Sequence, residues 1–176
     1  FQSAEAYAHQ WDVPDMALQD NQLSLYETLS WVQIAVATVS QYSAAVPLRV
    51  KEVKGEDEED VKNHAFEQLL QRPNPLMSRF ELLEATVSYY KLIGNSFWWL
   101  NKANENAAPS EIWVIPANRI HPVPDEKLYL KGYIYTSDYG QEIPLELWEI
   151  VHFKHFNPRD PFMGLSPMQA VGVDAV

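Results

Sequence analysis

From Ser24 the apolar residues fall at helical spacing. Leu25, Leu29, Val32, Val36 and Val39 stand three or four apart, and Ile34, Ala35 and Ala37 widen the stripe until it nearly encircles the rod. Ser24-Leu25-Tyr26-Glu27 has the form of a capping box that opens this helix, and Pro47 ends it by excluding the preceding residue from the helical region. The pattern predicts a helix over 25–39 buried on more than one side. Residues 1–22 show no period and read as an arm.

After a short extended run through Leu48, Val50 and Val53, a brief helix over 64–70 places Phe66, Leu69 and Leu70 on one side. Arg72-Pro73-Asn74-Pro75 is a rigid turn. Ser78-Arg79-Phe80-Glu81 is a second capping box, with Met77 and Leu82 placed as a hydrophobic staple. The helix it opens shows an apolar face of Phe80, Leu83, Val87, Tyr90 and Leu92, and Gly94 stands where a left-handed C-terminal cap is wanted.

Extended segments then dominate. Ser96 to Asn101, Ile112 to Ile115, Ile120 to Val123, Leu128 to Tyr135, Glu142 to Leu145 and Leu147 to Phe153 read as strands. The turns Pro116-Ala117-Asn118-Arg119 and Ser137-Asp138-Tyr139-Gly140 punctuate them. Strict alternation would put Tyr129, Tyr133 and Tyr135 on one strand face. Ser166-Pro167-Met168-Gln169 starts a last helix, with proline at the first helical position. Helices first and strands second imply an α+β fold, helices packed on a mostly antiparallel, aromatic-rich sheet or meander. The divisions are an arm over 1–23, a domain over 24–165 and a helix start over 166–176 that leads out of the stretch. A chain that opens on Phe1 and closes inside a helix reads as part of a longer protein.

Composition narrows the function classes. The 176 residues contain no cysteine, which removes disulfide frameworks and thiol chemistry. Apolar runs last only a few residues, so no membrane anchor is expected. Thirteen Lys and Arg against 24 Asp and Glu give a net charge of −11. Such a surface argues against a module that grips a phosphate backbone but not against a channel that lets DNA pass. Six of the acids crowd into Glu52 to Asp60 without the spacing of a calcium loop, and read as a solvated hairpin tip.

Catalytic signatures are absent. There is no phosphate-cradling glycine loop, no serine elbow and no zinc-binding His-Glu-x-x-His. His152 and His155 lie three apart in a strand-like segment, on opposite faces, and so do not form a metal pair. His9, His64 and His121 suit surface or capping roles. No enzyme, cofactor or metal site is expected. The tryptophans leave open a carbohydrate- or peptide-binding module on aromatic strands, in which Trp98 and Trp113 would stack on the ligand. Core packing is the simpler use of such residues.

Five motifs in order are more specific than any of this chemistry. His64-Ala65-Phe66-Glu67-Gln68-Leu69-Leu70-Gln71-Arg72-Pro73-Asn74-Pro75 runs into the box at Ser78 and Glu81; Gly94-Asn95-Ser96-Phe97 follows. Then come Ile112 to Ile120 around Pro116, Glu149-Ile150-Val151-His152-Phe153, and Gly164-Leu165-Ser166-Pro167. In this register the chain resembles the portal proteins of tailed bacteriophages, over roughly residues 24–174. Pro73, Asn74, Pro75, Ser78, Glu81, Gly94, Asn95, Pro116, His152, Gly164, Ser166 and Pro167 carry the match, as scaffold rather than catalytic residues. The resemblance implies the outer wing region of a subunit in a homo-oligomeric ring of about twelve. Such a ring stands at one capsid vertex of the virion, having assembled in the host cytoplasm. Its implied partners are the terminase, the major capsid protein, the head-tail connector and double-stranded DNA passing through the channel.

Overall fold

The computed structural model describes residues 18–171 except Glu56 and Lys62. The expected arm therefore lies outside the described residues up to position 17. Residues 19–23, expected within it, are helical.

The first helical region is two helices, α1 (Gln19–Thr28) and α2 (Ser30–Ala45), which break at Leu29, an extended residue with φ −107° and ψ 106°. The expected box at Ser24 is not formed: Ser24 lies inside α1, and its hydroxyl donates to the Asn21 carbonyl at 2.8 Å. A serine directly before an apolar run and three residues before a glutamate looks like a cap, but here the helix begins earlier, at Gln19. Burial on α2 is one-sided. Val32, Val36, Ser40 and Ala44 are buried, whereas Trp31, Ile34, Val39 and Tyr42 are exposed.

Strands β1 (Lys51–Lys54) and β2 (Asp57–Asp60) form a wholly exposed antiparallel hairpin, with Gly55 at φ 70° in its turn. This is the solvated acidic tip expected of the sequence. Arg49–Asp60 and Lys51–Glu58 pair across it and Lys54–Glu52 along β1, contributing little each because water screens them.

In α3 (Ala65–Gln71), capped by the His64 ring accepting from the Phe66 amide, Leu70 is buried but Phe66 is exposed. The box at α4 (Arg79–Leu92) is complete in both directions. Its buried line runs through Leu82, Thr86 and Leu92 rather than through Phe80, which is exposed. The polar Thr86 hides this line from an apolar-periodicity reading. Its hydroxyl donates to the Leu82 carbonyl and accepts from Trp98 Nε1, so it is buried with its hydrogen bonds made.

Two three-stranded antiparallel sheets follow. One has the order β4 (Glu111–Ile115), β3 (Asn95–Asn101), β8 (Ile150–Lys154); the other is the meander β5 (Ile120–Asp125), β6 (Tyr129–Thr136), β7 (Glu142–Glu146). Residues 147–149, expected as strand, form a 3-10 turn before β8. Alternation along β3 sends neighbouring aromatics into two clusters. Trp98 joins Leu70, Leu82 and Ile112 on one side; Phe97 joins Val32, Val36, Ile93, Ile115, Ile120 and Tyr133 on the other. Burying a side chain the size of Phe97 contributes about 2–3 kcal/mol. The α+β architecture stands as expected.

The tyrosines of β6 do not all share a face. The register with β5 shifts between Val123 and Pro124, so that Gly132 faces Val123 while Leu130 faces Pro124. One extra residue reverses the alternation. Tyr133 and Tyr135 therefore pack on the core together with Leu130, while Tyr129 is exposed against the Phe162 ring.

Candidate functional site

Eleven of the twelve motif residues gather at two junctions. At the first, Asn74 is buried between the prolines, and its side chain acts as a clamp. Nδ2 donates to the Ile112 carbonyl at 2.8 Å, and Oδ1 accepts from the amides of Leu76 and Met77, both at 2.9 Å. The Ile112 amide donates to the Pro73 carbonyl at 2.8 Å. The outer edge of β4 is thus satisfied at Ile112 by the Pro73-Asn74-Pro75 turn instead of by another strand. Ser78 and Glu81 follow directly as the cap of α4. Ser78 Oγ accepts from the Glu81 amide at 3.3 Å, the Glu81 carboxylate accepts from the Ser78 amide at 2.7 Å, and that bond holds the carboxyl below its usual range.

The second junction joins segments far apart in sequence. Gly94 ends α4 with φ 79°, as the sequence predicts, and its carbonyl accepts from the His155 amide at 2.8 Å. Asn95, 1 % exposed, uses its full hydrogen-bonding capacity. Oδ1 accepts from the Gly164 amide at 2.6 Å and from His152 Nε2 at 3.0 Å. Nδ2 donates to the carbonyls of Gly164 at 3.0 Å and Ile93 at 3.2 Å. The backbone partners fix the orientation of the amide, which in turn requires the proton of His152 on Nε2. Nδ1 is then a bare acceptor for the Tyr133 hydroxyl, 3.3 Å away. Burial, with a contribution from Lys154, pushes the imidazole down to about 4. Burial also raises the Tyr133 phenol, so both groups are neutral at pH 7.

Backbone closeness completes this junction. A Cβ on Gly94 would sit 2.5 Å from the Leu165 carbonyl carbon and 2.8 Å from the Ser166 nitrogen; one on Gly164 would sit 2.7 Å from the His155 nitrogen. Only residues without side chains permit the two strands of backbone to touch. Ser166 is buried and donates from Oγ to the Leu92 carbonyl at 2.5 Å while accepting from the Met168 amide at 3.0 Å. With Pro167 behind it, Ser166 thus ties the start of α5 (Met168–Val171) to the end of α4.

Pro116 stands apart from both junctions. It begins the 3-10 turn over Ala117–Arg119 and helps line an apolar cleft of about 310 Å³ between the sheets, with Trp99, Trp113, Ile115, Tyr135 and Leu145.

Neither junction holds a nucleophile with a base. His152 is surrounded by Asn95, Tyr133 and the stacked Phe97 ring at 4.1 Å. His155 stacks instead on Tyr90 at 3.9 Å. Among the described residues no cluster of three or more His, Asp or Glu is placed to hold a metal ion. Of the two aromatics nominated for stacking, Trp98 is core, edge-on to Phe153 with its indole bonded to Thr86. Trp113 lines the cleft, its Nε1 donating to Glu111 at 2.9 Å. Sequence reasoning missed Tyr133 and Thr86. A tyrosine in an alternating strand gives no sign of the histidine it will meet.

The stretch that contains both junctions matches known proteins. The Phage portal protein family model matches residues 30–173. The chain belongs to the phage portal protein family. In the neck of the empty gene transfer agent (GTA) particle, computed with C6 symmetry, a chain superposes with a TM-score of 0.73 at 30 % identity, covering 87 % of this chain and 42 % of that one. The native GTA neck, computed with C12 symmetry, has a chain matching at TM-score 0.69 and 29 % identity over 87 % of this chain and 40 % of that one. An uncharacterized protein of Rickettsia bellii is 28 % identical over 143 residues, 78 % of this chain and 36 % of its own length. A second, from Rickettsia felis, is 26 % identical over 140 residues, 77 % of this chain and 35 % of its own length. This portal-family chain thus spans little more than a third of the curated relatives it matches.

Proposed function

We propose that this chain is the wing-side part of a subunit in a closed ring of about twelve copies, set at the capsid vertex of a virion. In this reading the ring passes double-stranded DNA during packaging and ejection. It docks the terminase during filling and the head-tail connector afterwards, contacts the major capsid protein, and assembles in the host cytoplasm. The chain works without catalysis. The single observation that carries the reading is the match to chains in a neck with C12 symmetry over 87 % of this chain.

The physical argument is consistent with that role. A net charge of −11 gives a surface that does not hold DNA phosphates, which lets a duplex slide. The second junction stiffens the point where the domain hands over to α5, because Asn95, His152 and Ser166 bind α4, β3, β8 and the 157–165 loop into one unit. A ring subunit under load from a packaging motor needs such a fixed exit.

The test is the mass of the full-length polypeptide by size-exclusion chromatography with light scattering, followed by electron microscopy of the peak. A species about twelve times the subunit mass with a central channel is expected. Monomer or dimer at every salt and concentration would refute the ring.

A further inference from the structure

The outward face of α2 is an apolar strip left exposed by the described residues. Val32, Val36, Ser40 and Ala44 turn inward, and the opposite side presents Trp31, Ile34 and Tyr42, which are 57 %, 65 % and 76 % exposed. Ala35, Thr38 and Ala45 lie between them at spacings of three and four, so the strip is continuous and small enough in profile for close approach. These three large side chains alone expose roughly 400–500 Å², the size of the largest patch on an ordinary monomer and about half of one partner's share of a standard interface.

Charge narrows the choice among partner molecules. No Lys, Arg, Asp or Glu stands between Glu27 and Arg49, although the chain as a whole carries −11. Two copies of so acidic a chain repel one another wherever their carboxylates meet, and a homomeric contact costs least where neither charge nor its desolvation is involved. A basic partner would instead be recognised at the acidic hairpin, and a membrane surface would call for lysines and arginines flanking the apolar face. We infer that the Trp31–Ile34–Tyr42 face of α2 is one half of the contact between adjacent copies of this chain in the ring. The inference rests on the ring reading above and adds the location of the seam. In a heterologous ring the same strip recurs at every seam, against a different, uncharged patch on the next subunit.

The test uses the full-length polypeptide and two substitutions, Ile34→Glu on the strip and Tyr139→Glu at the tip of the β6–β7 hairpin, where Tyr139 is 97 % exposed. Light scattering should show Ile34→Glu falling about twelvefold in mass to a folded monomer, with circular dichroism unchanged, while Tyr139→Glu keeps the ring of the parent. A retained ring in Ile34→Glu, or equal loss in both variants, overturns the seam but leaves the ring reading standing. If the parent itself forms no ring, both fall. A photo-crosslinking residue, p-benzoylphenylalanine, at position 42 of the otherwise unchanged polypeptide covers the case in which Ile34→Glu unfolds. Adducts of twice the subunit mass are expected after irradiation. Crosslinks confined within one chain would show that the strip is covered by the chain's own continuation, and would overturn the proposal.

Discussion

Gly94 and Gly140 share a backbone conformation, φ 79° and 75°, but not a neighbourhood. Around Gly140 nothing lies within 4 Å of where a Cβ would stand, whereas at Gly94 the added atom meets the Leu165 carbonyl and, at 2.8 Å, the Ser166 nitrogen. Gly140→Ala therefore isolates the cost of a left-handed L-residue, about 1–2 kcal/mol. Gly94→Ala adds a collision that requires the 164–166 segment to retreat by nearly 1 Å. That retreat stretches the bonds from Gly164 to Asn95 and from Ser166 to the Leu92 carbonyl. Weakening two buried hydrogen bonds costs about 1–3 kcal/mol more, so Gly94→Ala should cost about 2–5 kcal/mol in all. Gly164→Ala, whose φ is not positive, supplies the steric part alone. Urea denaturation followed by tryptophan fluorescence reads all three. Equal losses at Gly94 and Gly140, within about 0.5 kcal/mol, would show that the contact between the two motifs does not matter to stability.

His152 should give a pH signature. Its folded value of about 4 lies below the unfolded value of 6.5, so the unfolded chain binds the proton first. The contribution is full above pH 6.5 and is lost as pH falls towards 4; an NMR titration midpoint near 6.5 would refute the buried neutral ring. Asn74→Ala leaves the Ile112 carbonyl and the Leu76 and Met77 amides without their side-chain partner, and should cost about 2–3 kcal/mol in the same urea assay. A loss under 0.5 kcal/mol would mean that water replaces the clamp. Ser78→Ala should cost about 1 kcal/mol through the lost cap, and no change would place the start of α4 elsewhere. Trp98→Ala should destabilise by about 3–5 kcal/mol, marking the residue as core, and a folded variant with an unshifted midpoint would reopen the stacking role.

Local chemistry was readable along the chain. The box at Ser78 and Glu81, the left-handed Gly94 and the exposed acidic hairpin depend on interactions within a few residues, and those are written in adjacent letters. The order of five motifs carried the family. What the letters did not contain was the direction in which each element faces. The extra residue in β6 that turned Tyr129 outward shows only in its pairing with β5, and the polar burial line through Thr86 only in its bond to the Trp98 indole. The same holds for the second junction. Gly94, Asn95, His152, Gly164 and Ser166 each stood out as motif residues, yet only the folded chain brings 94–95, 152 and 164–166 to hydrogen-bonding distance and gives the histidine its tautomer. The tertiary structure decided these points because a buried polar atom needs a partner wherever the chain happens to pass, and sequence spacing does not encode that meeting.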